Sequence, residues 1–434
     1  MKRIVCTSIS KHRQFATSSI NAANKNYKLV IVGSGTGGTA TANKFARKLG
    51  RGAVAVIEPT DVHYYQPMFT LVGGGIKRFD QTSLNRSELL PNKVDWIKER
   101  VSKFDPDNNQ VTTESGDTIT YEYLITATGL QLNFNQIKGL EEALAEDPAV
   151  CSNYSPKTVT KTFPALQAFQ EGNVIFTLPA TPIKCAGAPQ KIMYLADEYL
   201  RNAGKRDKAN VVFNSSLGGI FGVKKYAEAL LPIVKRKNLT CNFRTNLTEV
   251  NHKKREATFV NLDTGEESVY EYSFLHAVPP MSAVDAVKNS PLVDETGYVT
   301  VDKTTLQHTK YSNVFGIGDN CNLPSSKTAA AAAAQAGILS SNLSSVMNGS
   351  KPTAIYDGYT SCPLVTAHNK CVLAEFDFDG EPLETFPFNQ AKERYSMFVM
   401  KAYMMPTMYW RMLLKGIWNG PKPVRKLLHM GMSR

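Results

Sequence analysis

The 434-residue sequence lacks any apolar run of the roughly 20 residues that a membrane-spanning helix needs, even in its hydrophobic C-terminal part. The N-terminus also lacks the apolar core of a secretory signal. The 29 glycines and 22 prolines are too few for a low-complexity or collagen-like chain. These absences predict a globular protein, and the length suffices for two or three domains.

Acidic residues are missing from both ends of the chain. Residues 1–57 hold ten Lys/Arg and residues 394–434 hold eight, and neither stretch has an Asp or Glu. The net charge is +12, so the basic excess lies in the ends and not on a recognisable nucleic-acid-binding module. We therefore expect no nucleic-acid partner.

The first 26 residues contain Arg, Lys and several Ser, a composition typical of a mitochondrial transit peptide. The alternative is a disordered basic tail. We expect a mature chain that begins between residues 16 and 26, within the mitochondrion.

Cysteine patterning is also sparse. The seven cysteines form no CxxC motif and no Cys/His cluster, so no metal site is expected. A structural disulfide network is not expected in a reducing compartment. We expect Cys6 to leave with the transit peptide and Cys151, Cys241, Cys321 and Cys371 to fill apolar space.

What the sequence does contain is a nucleotide-binding fingerprint at its start. The apolar run Leu29–Val32 predicts a buried strand, a glycine-rich turn and a helix follow it, and a second strand ends at Glu58. The turn fits GxGxxG, in which glycines let a pyrophosphate approach the helix N-terminus while the acid binds ribose. The predicted dinucleotide-binding residues are Gly33, Gly35, Thr36, Gly37, Gly38 and Glu58.

Two later stretches resemble the other fingerprints of flavoproteins with two dinucleotide-binding domains. The first, "YEYLITATGL", ends in Thr128 and Gly129, and the second, "FGIGDN", contains Asp319 before an Ala-rich helix. The resemblance implies FAD, with Asp319 on its ribityl chain. The N-terminus of the helix after Lys327 would face the flavin, where its positive dipole stabilises negative charge.

A second nucleotide-binding unit is predicted around the strand Val211–Phe213, but it is degenerate. Its turn, residues 215–222, is not a clean GxGxxG, and no acid ends the next strand near residues 240–244. We therefore expect a retained fold without a nicotinamide site.

The sequence thus predicts an α/β protein with two Rossmann-like domains and a C-terminal membrane-associating helical segment. Its expected divisions are 27–150 and 296–345 for the FAD domain, 151–295 for the second domain, and 346–434 for the C-terminal region.

Two cysteines have distinctive surroundings. Cys185 lies between Lys184 and Lys191 and just before a predicted helix, an environment that lowers a thiol pKa. Cys362 is predicted to lie in a loop before Pro363. Spacing alone does not show that the two thiols meet.

From about residue 27 onward the chain resembles the mitochondrial sulfide:quinone oxidoreductases. The resemblance rests on "HYYQPMFTLVGGG", "TPIKCAGAPQKIMYLADEY", "FGIGDNCNLPSSKTAAA" and "YDGYTSCPLVT". It implies that Cys185 and Cys362 form a sulfur-bridged redox pair facing FAD. Hydrosulfide would attack the bridge at Cys362, electrons would pass through FAD to ubiquinone, and a small acceptor such as glutathione or sulfite would take the sulfur. Further FAD contacts implied by the resemblance are Gln66, Val101, Lys327, Thr328, Ala329 and Ala330.

Some bacterial relatives attach FAD through a cysteine soon after the "ATG" strand, and "ATGLQLNFNQIKGL" has none. We therefore expect non-covalent FAD. The enzymatic alternative is a type II NADH:quinone oxidoreductase, disfavoured by the degenerate second turn. The non-enzymatic alternative is a flavoprotein kept for binding, disfavoured by the two cysteines.

The C-terminal segment, residues 394–434, combines apolar bulk with positive charge. Six methionines occur between residues 397 and 412. This composition predicts short helices on an anionic membrane surface, on the matrix side of the inner membrane. The alternative is a basic helical cap packed on the protein or on a dimer partner. The charges assigned to the membrane face are Lys401, Arg411, Lys415, Lys422, Arg425 and Lys426.

Overall fold

The computed structural model describes residues 25–432. The transit-peptide prediction for residues 1–26 falls almost wholly outside this range. The strands are β1 (Lys25–Val32), β2 (Val54–Ile57), β3 (Val62–Tyr64), β4 (Ser83–Asn85), β5 (Val94–Ile97), β6 (Val101–Asp105), β7 (Gln110–Thr113), β8 (Thr118–Thr126), β9 (Leu130–Leu132), β10 (Val150–Cys151), β11 (Gly172–Leu178), β12 (Ala209–Ser215), β13 (Thr240–Phe243), β14 (Thr245–Asn251), β15 (Glu256–Asn261), β16 (Glu267–Glu271), β17 (Phe274–His276), β18 (Met281–Ala283), β19 (Val314–Gly316), β20 (Thr360–Ala367) and β21 (Lys370–Phe376).

The α-helices are α1 (Thr36–Leu49), α2 (Phe69–Gly73), α3 (Arg86–Leu89), α4 (Leu140–Glu146), α5 (Val159–Ala168), α6 (Ala188–Asn202), α7 (Lys224–Arg236), α8 (Asp285–Lys288), α9 (Ala329–Met347), α10 (Tyr395–Val399), α11 (Met405–Met408) and α12 (Lys422–Leu428). Two wider π-type turns, Met400–Met404 and Tyr409–Leu413, continue α10 and α11.

The first sheet contains seven strands in the order β5-β2-β1-β8-β7-β6, with β19 pairing the far end of β8. Its central strands are parallel: β1 pairs in the parallel direction with both β2 and β8. The apolar run Leu29–Val32 is buried, as expected for a strand covered on both faces. Val32 lies opposite Ile57 and Thr126, so the carboxyl ends of these strands meet at one edge of the sheet. Ligands of open α/β sheets bind at such an edge.

The second sheet is parallel throughout, in the order β10-β17-β11-β12-β13. An antiparallel three-stranded sheet, β14-β15-β16, packs beside it. The predicted α/β fold with two Rossmann-like units is therefore confirmed. The division at residues 150, 295 and 345 stays a proposal, although β1, β2, β5–β8 and β19 share the first sheet and β10–β13 and β17 share the second.

The loop predicted around Cys362 is wrong. Cys362 lies within β20, which pairs antiparallel with β21 through residues such as Pro363 opposite Leu373. This hairpin forms a two-stranded sheet. Both of its strands are sheet edges, and an edge strand accepts a proline because the missing N–H faces no partner.

The C-terminal segment lies against the body of the protein. Met397, Phe398, Tyr409, Leu413 and Leu414 are buried there. Within the described part of the chain, no helix is long and apolar enough to cross a bilayer.

Candidate active site

A cavity of about 400 Å³ opens at the carboxyl edge of the first sheet and extends to the cysteine pair. The predicted residues that line it are Gly35, Thr36, Gly37, Glu58, Gln66, Thr128, Gly129, Asp319, Lys327, Thr328, Ala329, Ala330 and Cys185. The structure thus brings together positions that lie almost 300 residues apart in the chain. Gly33, Gly38, Val101 and Cys362 are not lining residues.

Gly33 and Gly38 shape the turn instead of touching the cavity. Gly33 has φ +92°, and a Cβ there would lie 2.5 Å from the carbonyl oxygen of Ala127. A Cβ on Gly38 would overlap the carbonyl oxygen of Gly33. At Gly35, by contrast, a Cβ would meet nothing within 4 Å, and α1 begins there without a side-chain cap. The turn is therefore closely packed at Gly33 and Gly38 and open at Gly35, where a phosphate would approach the helix N-terminus.

Other polar groups of the cavity fit a dinucleotide. Thr128 has a buried hydroxyl that makes no hydrogen bond with the described residues. Glu58 accepts a hydrogen bond from the backbone N–H of Ser34 at 3.0 Å, and it lines the cavity. Because a buried hydroxyl without a partner is costly, Thr128 marks a place for a polar ligand. The residues present therefore fit the nucleotide cofactor that the fold family uses.

The opposite end of the cavity combines one carboxyl group with two lysines. Burial raises the pKa of Asp319, while Lys327 and Lys184 act against this shift. Burial lowers the pKa of Lys184 to about 8. Lys184 donates a hydrogen bond to Gln66 at 2.6 Å. The chain beyond Lys327 begins α9, whose cap is Thr328.

The structure places Cys185 and Cys362 side by side, with their sulfur atoms 3.8 Å apart. Cys185 precedes α6, and it has a left-handed backbone with φ +51°, a conformation that costs a non-glycine residue free energy. Three hydrogen bonds hold it: its N–H donates to Lys327, and its carbonyl accepts from Ala188 and from the Tyr154 hydroxyl. The strained residue is thus fixed by its surroundings.

The two thiols have different acidities. The hydrogen bond from Cys362 and the charge of Lys191 hold the pKa of Cys185 well below its usual range, against the effect of burial. The Lys191 ammonium lies 3.4 Å from the Cys185 sulfur. Burial alone would lower the pKa of Lys191, but the two adjacent sulfur atoms outweigh it and raise that pKa. Cys185 is therefore the more acidic thiol of the reduced pair, since the pKa of Cys362 is raised by the neighbouring Cys185 and by burial. Lys184, which was expected to contribute, points to Gln66 instead.

Gly187 lets the two cysteines approach. A Cβ at this position would overlap the sulfur of Cys362 and lie 2.9 Å from Leu364. We expect Gly187→Ala to slow electron transfer from the pair more than tenfold while the cofactor stays bound, because the sulfur atoms are forced apart. Anaerobic stopped-flow absorbance of the flavin after addition of sulfide measures this rate.

The matched control is Gly218→Ala, because a Cβ at Gly218 meets nothing within 4 Å. A wild-type rate in Gly187→Ala would show that the close approach of the sulfur atoms is not required.

Sequence reasoning missed Lys401. It was assigned to a membrane face, but its side chain is buried, lines the cavity and donates to the carbonyl of Pro67 at 2.9 Å. Burial and the charge of Lys191 lower its pKa to about 8. Lys401 is the one cation within residues 395–410. The sequence could have indicated its burial in the protein, since a single charge among apolar residues is unfavourable in contact with lipid.

Arg425 is a second correction of the same kind. It is 1% exposed and pairs with Asp357 at 2.9 Å. Lys422 also pairs with Asp357, at 3.2 Å. These two cations fix α12 to the body of the protein and do not face outward as a free positive patch. Arg411 and Lys426 are exposed, as predicted.

The turn after β12 has no ribose-binding acid beside it. The residue that follows β13 is Arg244, which has φ +57°. Its guanidinium donates to the carbonyl of Ser216 and pairs with Asp263 at 2.9 Å. Arg244 thus lies across the place where a carboxylate would accept hydrogen bonds from NAD ribose.

Known proteins resemble this chain over most of its length. Residues 27–161 match the family model "Pyridine nucleotide-disulphide oxidoreductase". The chain is 52% identical to "Sulfide:quinone oxidoreductase, mitochondrial" of Mus musculus, covering 97% of this chain and 93% of that protein. It is 46% identical to the protein of the same name from Dictyostelium discoideum, covering 91% and 87%.

A solved structure supports the fold. The sulfide:quinone oxidoreductase of Aquifex aeolicus superposes with a TM-score of 0.76 at 19% identity, covering 94% of this chain and 95% of that chain. The two relatives are at least 46% identical to this chain over at least 87% of each chain. The chain belongs to the mitochondrial sulfide:quinone oxidoreductase family.

Proposed function

We propose that this protein oxidises hydrogen sulfide and reduces ubiquinone, with FAD as cofactor and Cys185 and Cys362 as the redox pair. The observation that carries the proposal is the 3.8 Å approach of the two sulfur atoms where the cavity meets Cys185. The names of the relatives point to the same substrates.

The different pKa values of Cys185 and Cys362 determine which sulfur is attacked and which one leaves. In the oxidised enzyme a sulfur bridge joins the two residues. Hydrosulfide attacks the sulfur of Cys362, a new S–S bond forms there, and the bond to Cys185 breaks. A thiol of lower pKa is the better leaving group, so Cys185 departs as the thiolate that Lys191 stabilises at 3.4 Å. The bridge has then accepted two electrons from sulfide.

FAD, when bound, would supply the two-electron acceptor that links the cysteine pair to the quinone. The chain holds it through the open turn at Gly35, the acid Glu58 and the residues around Asp319. The start of α9 adds a positive dipole end at Thr328.

The persulfide on Cys362 is then passed to a small nucleophile such as glutathione or sulfite. Lys191 and Lys401 are both buried next to the pair. Two cations in this position favour an anionic acceptor. A thiolate or sulfite that attacks the outer sulfur forms a new bond to it and releases the Cys362 thiolate. The Cys362 and Cys185 thiolates then form the S–S bond of the bridge again, and the two electrons that this oxidation releases would go to the bound cofactor.

We expect FAD to be bound without a covalent link, because residues 130–140, which follow Gly129, include no cysteine. Acid precipitation of the holoenzyme should leave all the flavin in the supernatant. Yellow colour that remains with the pellet after washing would contradict this prediction.

We base the membrane proposal on exposed apolar side chains of the C-terminal segment, together called the apolar face here. Its residues are between 54% and 82% exposed. They are Tyr403, Met404, Ile417, Leu427, Met430 and Met432. Lys77 lies over the Tyr403 ring at 3.7 Å, and Arg411 and Lys426 are exposed nearby in sequence. Apolar side chains flanked by cations suit an anionic membrane surface.

The segment is also a cap, since its other face is buried on the body. The cap raised as an alternative from the sequence therefore describes its packed side, and the membrane role of its exposed side chains stays a proposal. The names of the relatives support a mitochondrial location, and we place the protein on the matrix side of the inner membrane, where a lipophilic quinone enters from the bilayer.

Replacing both Leu427 and Met430 by Glu should weaken binding to vesicles with anionic lipid more than tenfold, because inserting each side chain contributes about 1.5–3 kcal/mol. Vesicle flotation measures the bound fraction. Val269→Glu is the control, since Val269 is 61% exposed in β16. Equal flotation of all three proteins would show that the apolar face does not bind membranes.

The function is tested by steady-state reduction of a soluble ubiquinone analogue with sulfide or NADH as donor. We expect turnover with sulfide and none with NADH, in agreement with Arg244 at the degenerate turn. NADH-driven turnover would favour a type II NADH:quinone oxidoreductase, and inactivity with both donors would favour a binding flavoprotein.

A further inference from the structure

Tyr409 connects the C-terminal segment to the nucleotide turn. Its ring is buried and packs on Tyr65 with ring centres 4.4 Å apart. Its hydroxyl lies 2.6 Å from Nε2 of His63 and 3.0 Å from the hydroxyl of Thr36. Thr36 is the first residue of α1 and lines the cavity. One phenol therefore touches the part of the cavity that would receive a pyrophosphate.

The direction of these hydrogen bonds follows from the chemistry of the groups. Nδ1 of His63 lies 3.1 Å from the carbonyl oxygen of Ser34 and 3.4 Å from a guanidinium nitrogen of Arg86. The shorter contact is to the carbonyl, which only accepts, so we assign the proton to Nδ1. Burial and the charge of Arg86 lower the pKa of His63 to about 4, so the ring is neutral at pH 7. Nε2 then accepts from the Tyr409 hydroxyl, and Thr36 donates to the Tyr409 oxygen. The Thr36 side chain is thereby fixed.

The same segment also contacts the other end of α1. Arg47 donates to the carbonyl of Lys415 at 2.9 Å, and Lys44 donates to Asn419 at 2.6 Å. Gly416 has φ +69°, and a Cβ there would lie 2.8 Å from the Lys44 side chain. The segment therefore runs along α1 from the cavity to the far end of the helix. While the segment is docked, α1 can adopt few other conformations.

We propose that residues 405–419 form a clasp on α1 that holds the nucleotide turn in its binding geometry, with Tyr409 as the positioning residue. Cofactor binding and docking of the clasp are then coupled, and each stabilises the other by the same factor. This inference rests on the proposed function only in taking the cavity ligand to be FAD. The clasp also carries Ile417 of the apolar face, so a membrane-bound segment and a tightly held cofactor would favour each other.

The test is the rate of FAD release from the full-length holoenzyme, followed by the rise in flavin fluorescence after dilution. Tyr409→Phe keeps the ring and removes the hydroxyl. We expect release about tenfold faster, since two hydrogen bonds of a buried group are lost. Tyr395→Phe is the matched control, because Tyr395 belongs to the same segment but is 67% exposed. Release at the wild-type rate in Tyr409→Phe would overturn the proposal.

Hydrogen exchange of the wild-type protein gives a second measurement that needs no variant. Removal of FAD should speed exchange in residues 405–419 at least as much as in α1. Unchanged exchange in the clasp on FAD removal would also overturn the coupling. If sulfide reduces the flavin of Tyr409→Phe normally while release is unaltered, the clasp fails and the proposed function stands. If the flavin is not reduced by sulfide even in the wild type, the function fails independently.

Discussion

Cys185→Ser and Cys362→Ser should each lower the rate of sulfide-driven flavin reduction by more than about 10³-fold, the size of effect seen when a catalytic nucleophile is removed. A hydroxyl forms no sulfur bridge, so hydrosulfide finds no S–S bond to attack in either variant. Flavin absorbance after anaerobic mixing with sulfide measures the rate, and bound FAD per chain shows that the site is intact.

The matched control is Cys241→Ser. Cys241 lies in β13, outside the cavity, and burial raises the pKa of its thiol to about 11. The Cys241→Ser variant is expected to reduce its flavin at the wild-type rate. Near-normal reduction in either variant of the pair would contradict the two-cysteine mechanism, whatever the state of the other cysteines.

Lys191→Met should have the next largest effect, because it removes the cation 3.4 Å from the Cys185 sulfur. Loss of an opposite charge at this distance raises a thiol pKa by roughly one to three units. In the wild type, the hydrogen bond from Cys362 and the charge of Lys191 hold the pKa of Cys185 well below its usual range. In the variant, thiolate should appear only at higher pH. Flavin reduction at pH 7 should fall by about ten- to a thousandfold.

The rate of alkylation of Cys185 in the reduced enzyme, measured against pH by peptide mass spectrometry, reports this pKa directly. Lys184→Met is the matched control, since Lys184 precedes Cys185 in sequence but donates to Gln66 at 2.6 Å. We expect the alkylation profile of the control to match the wild type. If the alkylation profile of Lys191→Met is not shifted, the low pKa of Cys185 is due to the hydrogen bond from Cys362 and not to Lys191.

The fold was predictable because its signals are local. The strand, turn, helix and acid between Leu29 and Glu58 lie within one short stretch, and each step has its own sequence pattern. The same is true of Asp319 and the helix after Lys327. The proximity of Cys185 and Cys362 was not local, since 177 positions separate them, and it came from family resemblance until the structure placed the sulfur atoms together.

The C-terminal segment was the part that composition described least well. Composition counts Lys401 and Arg425 as positive charges on an apolar helix, whereas the structure buries both. Tyr409 gave no signal at all, because its partners Thr36 and His63 lie more than 340 positions away. Which face of a short helix packs on the protein depends on the surface that it meets, and a single sequence does not contain that surface explicitly.

We propose that electrons from sulfide reach the flavin through the Cys185–Cys362 pair. The most direct measurement is anaerobic single-turnover mixing of holoenzyme with one equivalent of sulfide, followed by absorbance and by mass spectrometry of the quenched peptides. We expect one added sulfur on Cys362 after mixing with sulfide alone, flavin bleaching once sulfite is added, and return of the oxidised spectrum when a ubiquinone analogue follows. Flavin bleaching in a protein that shows no sulfur on Cys362 before sulfite is added, or a flavin that stays oxidised throughout, would contradict this proposal.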